Sequence, residues 1–161
     1  MKVNRVVLIP VGVVLFLIFG ILGFGIMFAP GSYVNGERYE LDFPEEKVIH
    51  AINKFKKDHP SFNVPKVTIP GSGLLEIEDG RDENSYWYDI YFYYAEQNII
   101  VHTWTRPLTK DKTTFAFIGI NSGLMLGNWQ EVNNDLGFFE NRTVKKEFEE
   151  RILKEIESNL K

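Results

Sequence analysis

Three histidines and one acid-rich stretch are the places where this sequence of 161 residues could do chemistry. The stretch Glu76-Ile77-Glu78-Asp79-Gly80-Arg81-Asp82-Glu83-Asn84 gathers carboxylates as a Ca²⁺-binding loop does. Its spacing departs from the EF-hand pattern and Arg81 puts a cation in the middle. A solvated hairpin loop turning at Asp79-Gly80 is therefore expected. His50, His59 and His102 show no H-E-x-x-H spacing and the chain has no cysteine, so no metal and no cofactor are expected. A nucleophile would need a partner base, yet there is no G-x-S-x-G elbow, and Gly71-Ser72-Gly73 reads as a flexible turn. Gly119 and Gly123 lack the Gly-Lys-Ser/Thr that completes a phosphate loop. Glu76 or Asp89 would do acid–base hydrolysis only if folding brought a second carboxylate alongside. No catalytic residue is assigned.

The aromatic strands carry more information. Residues 86–94, Tyr-Trp-Tyr-Asp-Ile-Tyr-Phe-Tyr-Tyr, alternate so that Tyr86, Tyr88, Ile90, Phe92 and Tyr94 share one face and Trp87, Asp89, Tyr91 and Tyr93 the other. Residues 99–105 present Ile99, Val101, Thr103 and Thr105 on one side and Ile100, His102 and Trp104 on the other. If helices bury one face, the second offers Trp87, Tyr91, Tyr93, His102 and Trp104 as candidate binding residues, since such rings combine large apolar area with a polar tip. The competing account packs these rings across strands or covers them with the Pro/Gly-rich residues 60–73.

The elements that position these rings follow from periodicity. Asp42-Phe43-Pro44-Glu45 reads as a capping box opening a helix with Val48, Ile49, Ile52 and Phe55 on one face, ending near Asp58-His59-Pro60. Short extended pieces are expected at residues 67–69 and 74–78, then a hairpin of 86–94 with 99–105, then a strand at 113–121. Asn128-Trp129-Gln130-Glu131 reads as a second capping box, starting a short helix with Trp129, Val132 and Leu136 on one face. Thr143 is expected to cap a long final helix bearing Val144, Phe148, Ile152, Leu153, Ile156 and Leu160, with Glu147–Arg151 and Glu150–Lys154 pairs along it. The order of helix, three to five strands, short helix and long helix predicts an α+β domain, an antiparallel sheet with helices on one face.

Residues 6–29 hold no charged, amide or hydroxyl side chain, and a helix of that length is about 36 Å long, enough to cross a bilayer core of about 30 Å. A cleavable signal peptide competes with this reading. Its apolar core normally runs about 7–15 residues, and Phe28 is bulky where a small residue is wanted, although Gly23 and Gly25 leave cleavage open. Lys2 and Arg5 precede the segment and Arg38 alone follows closely, which predicts a cytoplasmic N-terminus. The expected organisation is a tail (1–5), an anchor (6–29), a tether (30–41) and an extracytoplasmic domain (42–161). All 22 acidic residues lie beyond the anchor, a poor match for nucleic acid. These features predict a single-pass, membrane-anchored, non-enzymatic protein-binding module of the cell envelope, a scaffold subunit or immunity-type inhibitor, meeting a protein partner at the membrane. An envelope hydrolase or saccharide-binding domain using Asp89, and a structural subunit of an obligate complex, are the alternatives.

Overall fold

The computed structural model describes residues 33–71 and 73–161, so the anchor expected at 6–29 lies outside the described residues. From Asn35 onward the chain is one α+β unit. Its antiparallel sheet holds β1 (Glu37–Leu41), β4 (Tyr88–Tyr94), β5 (Ile99–Thr109) and β6 (Lys112–Ser122) in the order β1-β6-β5-β4, and β7 (Trp129–Glu131) also pairs with β6. A separate ribbon pairs β2 (Val67–Ile69) with β3 (Gly73–Leu75). The expected hairpin and third strand are β4, β5 and β6. Val48, Ile52 and Phe55 of α1 (Glu45–Asp58) pack on one sheet face, meeting Ile90, Phe92, Val101, Phe115 and Phe117. Phe148 of α2 (Phe138–Phe148) and Ile156 of α3 (Lys154–Leu160) complete that core, with Phe148 stacked on Phe117 at 4.8 Å.

The long C-terminal helix is α2 and α3 joined through a π turn, Glu149–Leu153. Ile152 and Leu153 within that turn and Ile156 and Leu160 after it are all buried, the wider turn suiting the four-residue spacing of Phe148, Ile152 and Ile156. The turn also redirects the charges. Arg151 reaches Glu96 at 3.5 Å and lies 4.1 Å from the Tyr94 ring centre, while Glu150 pairs with Lys146, in place of the expected Glu147–Arg151 and Glu150–Lys154 pairs. The N-cap position is Gly137, six residues before Thr143, and its carbonyl accepts from Asn141 N–H at 2.8 Å. The Thr143 hydroxyl instead donates back to the Phe139 carbonyl, the bond an interior helical threonine makes.

Three further expectations give way to tertiary bonding. Residues 37–41, read as tether, form edge strand β1, because the outer edge of β6 offers unpaired amides and carbonyls there. The Asp42/Glu45 capping box is absent: Asp42 pairs with Lys112 at 2.6 Å, and Glu45 accepts from Arg81 at 2.6 Å and from the Thr105 hydroxyl at 3.1 Å. Two of these donors, Lys112 of β6 and Arg81 of the loop before β4, are charged, and charged donors give shorter bonds to a carboxylate than the first-turn amides do. The short helix expected from Asn128 is β7 followed by a turn at Asn133, whose φ of 61° lies in the left-handed region. A Cβ on Gly119 would sit 2.4 Å from the Gln130 carbonyl oxygen, so only glycine lets β7 approach this closely.

Candidate functional site

The register of β4 against β5 sets Phe92 opposite Val101 on the helix side and Tyr91 opposite His102 on the other. The two-faced reading of these strands is therefore what the sheet adopts. On the second face, the Tyr91 and His102 rings stack at 4.8 Å with only 13° between their planes. His102 Nε2–H donates to Asp89 Oδ1 at 2.8 Å, which fixes the imidazole from the neighbouring strand. Trp129 closes the group, 5.7 Å from His102 and 6.3 Å from Tyr91. Gly119 lies directly across from His102 on β6, and the backbone of β7 occupies the space that a side chain there would fill.

The five predicted residues do not all share one surface. Tyr91 and His102 belong to the cluster, but His102 is only 9% exposed and lies beneath the Tyr91 and Trp129 rings instead of offering open surface, and the Tyr93 hydroxyl donates to Asn98 Oδ1 at 2.9 Å near the hairpin turn. Trp104 is a correction: it is only 2% exposed, so it packs in the interior and offers no binding surface. Trp87 lies half-buried, 6.2 Å from Trp104, and the Arg106 guanidinium sits 5.6 Å from the Trp104 ring centre. Val67 of β2 is fully buried, and Thr68 exchanges backbone bonds with Leu124 and Leu126, both at 2.8 Å. The Pro/Gly-rich segment is thus fastened to the loop after β6. Trp129, at 38% exposed, is the ring that sequence reasoning missed, because its surroundings matched a helix start. The buried Asn121 amide delivers it. Its Nδ2 donates to the Gly123 and Met125 carbonyls and its Oδ1 accepts from Asn128 N–H, each at 2.9 Å.

Beside the cluster, Asp79 clips the free edge of β4. Its Oδ1 accepts from Tyr91 N–H at 2.9 Å, its Oδ2 holds Lys56 of α1, and Gly80 pairs with Asp89 as a one-residue bridge. Asp79-Gly80 is accordingly extended chain against the sheet, and the turn falls later, where Ser85 N–H bonds to the Asp82 carbonyl. Burial pulls the Lys56 ammonium below the usual lysine range, and the Asp79 carboxylate works against that pull. A cleft of about 530 Å³ runs between α1 and this segment, lined by Lys56, Asn63, Val64, Ile77 and Tyr91 among others. A smaller one of about 240 Å³ lies against Arg81, Asp82 and Asp89, and the two share Glu78, Asp79 and Tyr91. The acidic stretch spends its charge on separate partners: Glu76 on Lys66, Asp79 on Lys56. Among the described residues, no three His, Cys, Asp or Glu side chains converge as metal ligands.

Comparison of the chain with protein-family models, curated proteins and solved structures finds no match.

Proposed function

We propose that this chain is a membrane-anchored, non-enzymatic protein-binding module of the cell envelope, held by residues 6–29 with its N-terminus in the cytoplasm, and that Tyr91 and Trp129, backed by the buried His102, form its partner-binding surface. The observation that carries the reading is this aromatic cluster, fixed in place by Asp89 on one side and the Asn121-organised loop on the other. Rings held rigid before binding lose little side-chain freedom when a partner arrives, so more of the contact free energy appears as affinity. Tethering adds to this by confining the partner search to the membrane surface, so a modest interface suffices.

Photo-crosslinking in native membranes tests the proposal. A benzophenone side chain in place of Trp129 or Tyr93 is expected to capture one discrete partner protein, and the same group in place of Lys54, on exposed helix surface, to capture none. Equal capture from every position, or none from the sheet face, would overturn it. The alternative of an envelope hydrolase or saccharide-binding domain draws on a different observation, the 2.8 Å Asp89–His102 bond beside a cleft. In that case Asp89→Asn abolishes function and Trp129→Ala only weakens it; the binding module predicts the opposite emphasis.

A further inference from the structure

Phe138 and Phe139 open α2 with their rings in solvent, 76% and 82% exposed, and their centres lie 5.3 Å apart. Nothing in the fold of this helix requires them there, since its buried side is carried by Phe148. Two adjacent phenylalanines facing water cost free energy that a polar pair would avoid, and exposed large apolar groups mark contact surfaces.

The position of the pair in the fold says what they contact. Asn133 Nδ2 donates to the Asn35 carbonyl and to Glu37 Oε2, both at 2.9 Å. The Asn133 backbone N–H donates to Asn141 Oδ1 at 2.9 Å, and Asn141 Nδ2 donates back to Asn133 Oδ1 at 2.8 Å. Lys145 closes the clasp at 3.0 Å from Glu37 Oε2. Asn35 is thus bolted to the first turns of the helix that Phe138 and Phe139 begin. Along the sequence, Asn35 stands a few residues after Ala29, the end of the apolar stretch, at most about 20 Å of fully extended chain. Arg142 follows Phe138 and Phe139 by one helical turn and is exposed, adding a cation to the aromatic pair as interfacial membrane segments do. Glu140 lies between them in sequence, about 100° further round the helix from Phe139.

We infer that Phe138 and Phe139 insert into the headgroup region of the bilayer that anchors the chain, giving the domain a second membrane contact that fixes its orientation. The inference rests on the anchor proposed for residues 6–29. One contact leaves a domain free to swing on its tether; two define which face looks along the membrane, and the aromatic cluster then meets partners at a set angle.

The absence of cysteine from the chain makes the test direct. Full-length protein carrying Phe139→Cys, labelled with an environment-sensitive fluorophore, is reconstituted in phosphatidylcholine–phosphatidylglycerol vesicles beside a Glu83→Cys control. The expected result is a blue-shifted emission at position 139 that nitroxide lipids quench, with neither effect at position 83. A Phe138→Ser/Phe139→Ser protein labelled through Asn134→Cys is expected to lose the lipid quenching that the same label shows beside the intact pair, while remaining inserted under alkaline carbonate extraction. An inserted protein whose label at 139 reports water overturns the inference and leaves the anchor standing. A blue shift without lipid quenching assigns the pair to a protein contact and also overturns it. Release of the full chain by carbonate overturns the anchor and the inference together.

Discussion

Replacing Asp79 by Asn isolates a single charge in this fold. The amide keeps an oxygen for Tyr91 N–H, 2.9 Å from Oδ1 in the native protein, but removes the anion facing Lys56. Both side chains of the pair are largely buried, 13% and 16% exposed. Breaking a fully buried pair costs about 3–5 kcal/mol, because the remaining charge has neither water nor partner; with the residual exposure here, about 2 kcal/mol is expected. The signature lies in its pH dependence. Lys56 already binds its proton less tightly when folded than when unfolded, and losing Asp79 lowers its folded affinity further. The unfolded chain then holds more protons over the window between the two affinities, so stability rises with pH there and the penalty shrinks as Lys56 sheds its charge. Urea denaturation of residues 33–161, with Asp79→Asn and native protein compared at neutral and at mildly alkaline pH, measures this. A penalty below about 0.5 kcal/mol, or one equal at both pH values, would refute the claim that an uncompensated lysine charge is its source.

Gly119→Ala drives a methyl group into the Gln130 carbonyl and is expected to cost about 1–3 kcal/mol, with β7 displaced and Trp129 emission shifted red as its ring leaves His102. Asn121→Ala strands two carbonyls and an amide in the loop after β6; a loss of about 3 kcal/mol in chemical denaturation, with unchanged far-UV dichroism from the helices, is the expected result. Phe148→Ala empties the centre of the helix-side core, where three aromatic rings surround it, and should cost about 3–5 kcal/mol by the same measurement. Burial raises the Tyr39 and Tyr94 phenols well above their usual range. The folded protein therefore keeps protons that the unfolded chain releases above about pH 10, and stability is expected to fall with further alkalinisation, read by tyrosinate absorbance rising together with unfolding.

The central sheet was legible because its determinants are local. Alternation across residues 86–94 and 99–105 is set by the two-residue strand period, so the partition into Phe92/Val101 and Tyr91/His102 faces needs no knowledge of the rest of the chain. The core face of the final helix was legible for the same reason, since Phe148, Ile152 and Ile156 repeat at helical spacing. Boundaries failed wherever a distant partner outbid a local one. Asp42 and Glu45 have the composition of a cap, yet Lys112, Arg81 and Thr105 are brought to them by strands and loops far along the chain. Trp129, Val132 and Leu136 have helical spacing and Val132 is indeed buried, but the unpaired stretch of β6 at residues 119–121 recruits residues 129–131 as a strand.

The same distinction explains the candidate site. Which ring points to which face is a property of one strand, whereas whether a ring is open depends on what lies above it. Trp104 and His102 share a strand and a face, but Trp104 packs against Trp87 and the Arg106 guanidinium, while His102, 9% exposed, lies under the Tyr91 and Trp129 rings. No pattern within residues 99–105 separates them. The deciding contacts come from later residues: Gly119, which leaves room, and Asn121, whose amide shapes the loop that carries Trp129 over the sheet. An Asn121→Asp substitution probes this dependence, because it keeps the oxygen that accepts from Asn128 and replaces the donating NH₂ with a charge facing the Gly123 and Met125 carbonyls. If the loop positions Trp129, that one-atom change disorders the aromatic cluster and abolishes crosslinking from position 129 while leaving the helix-side core, on the opposite sheet face, intact. Retained crosslinking in a folded Asn121→Asp protein would mean that the β6–β7 pairing alone holds the tryptophan, and that the amide contributes stability without shaping the surface.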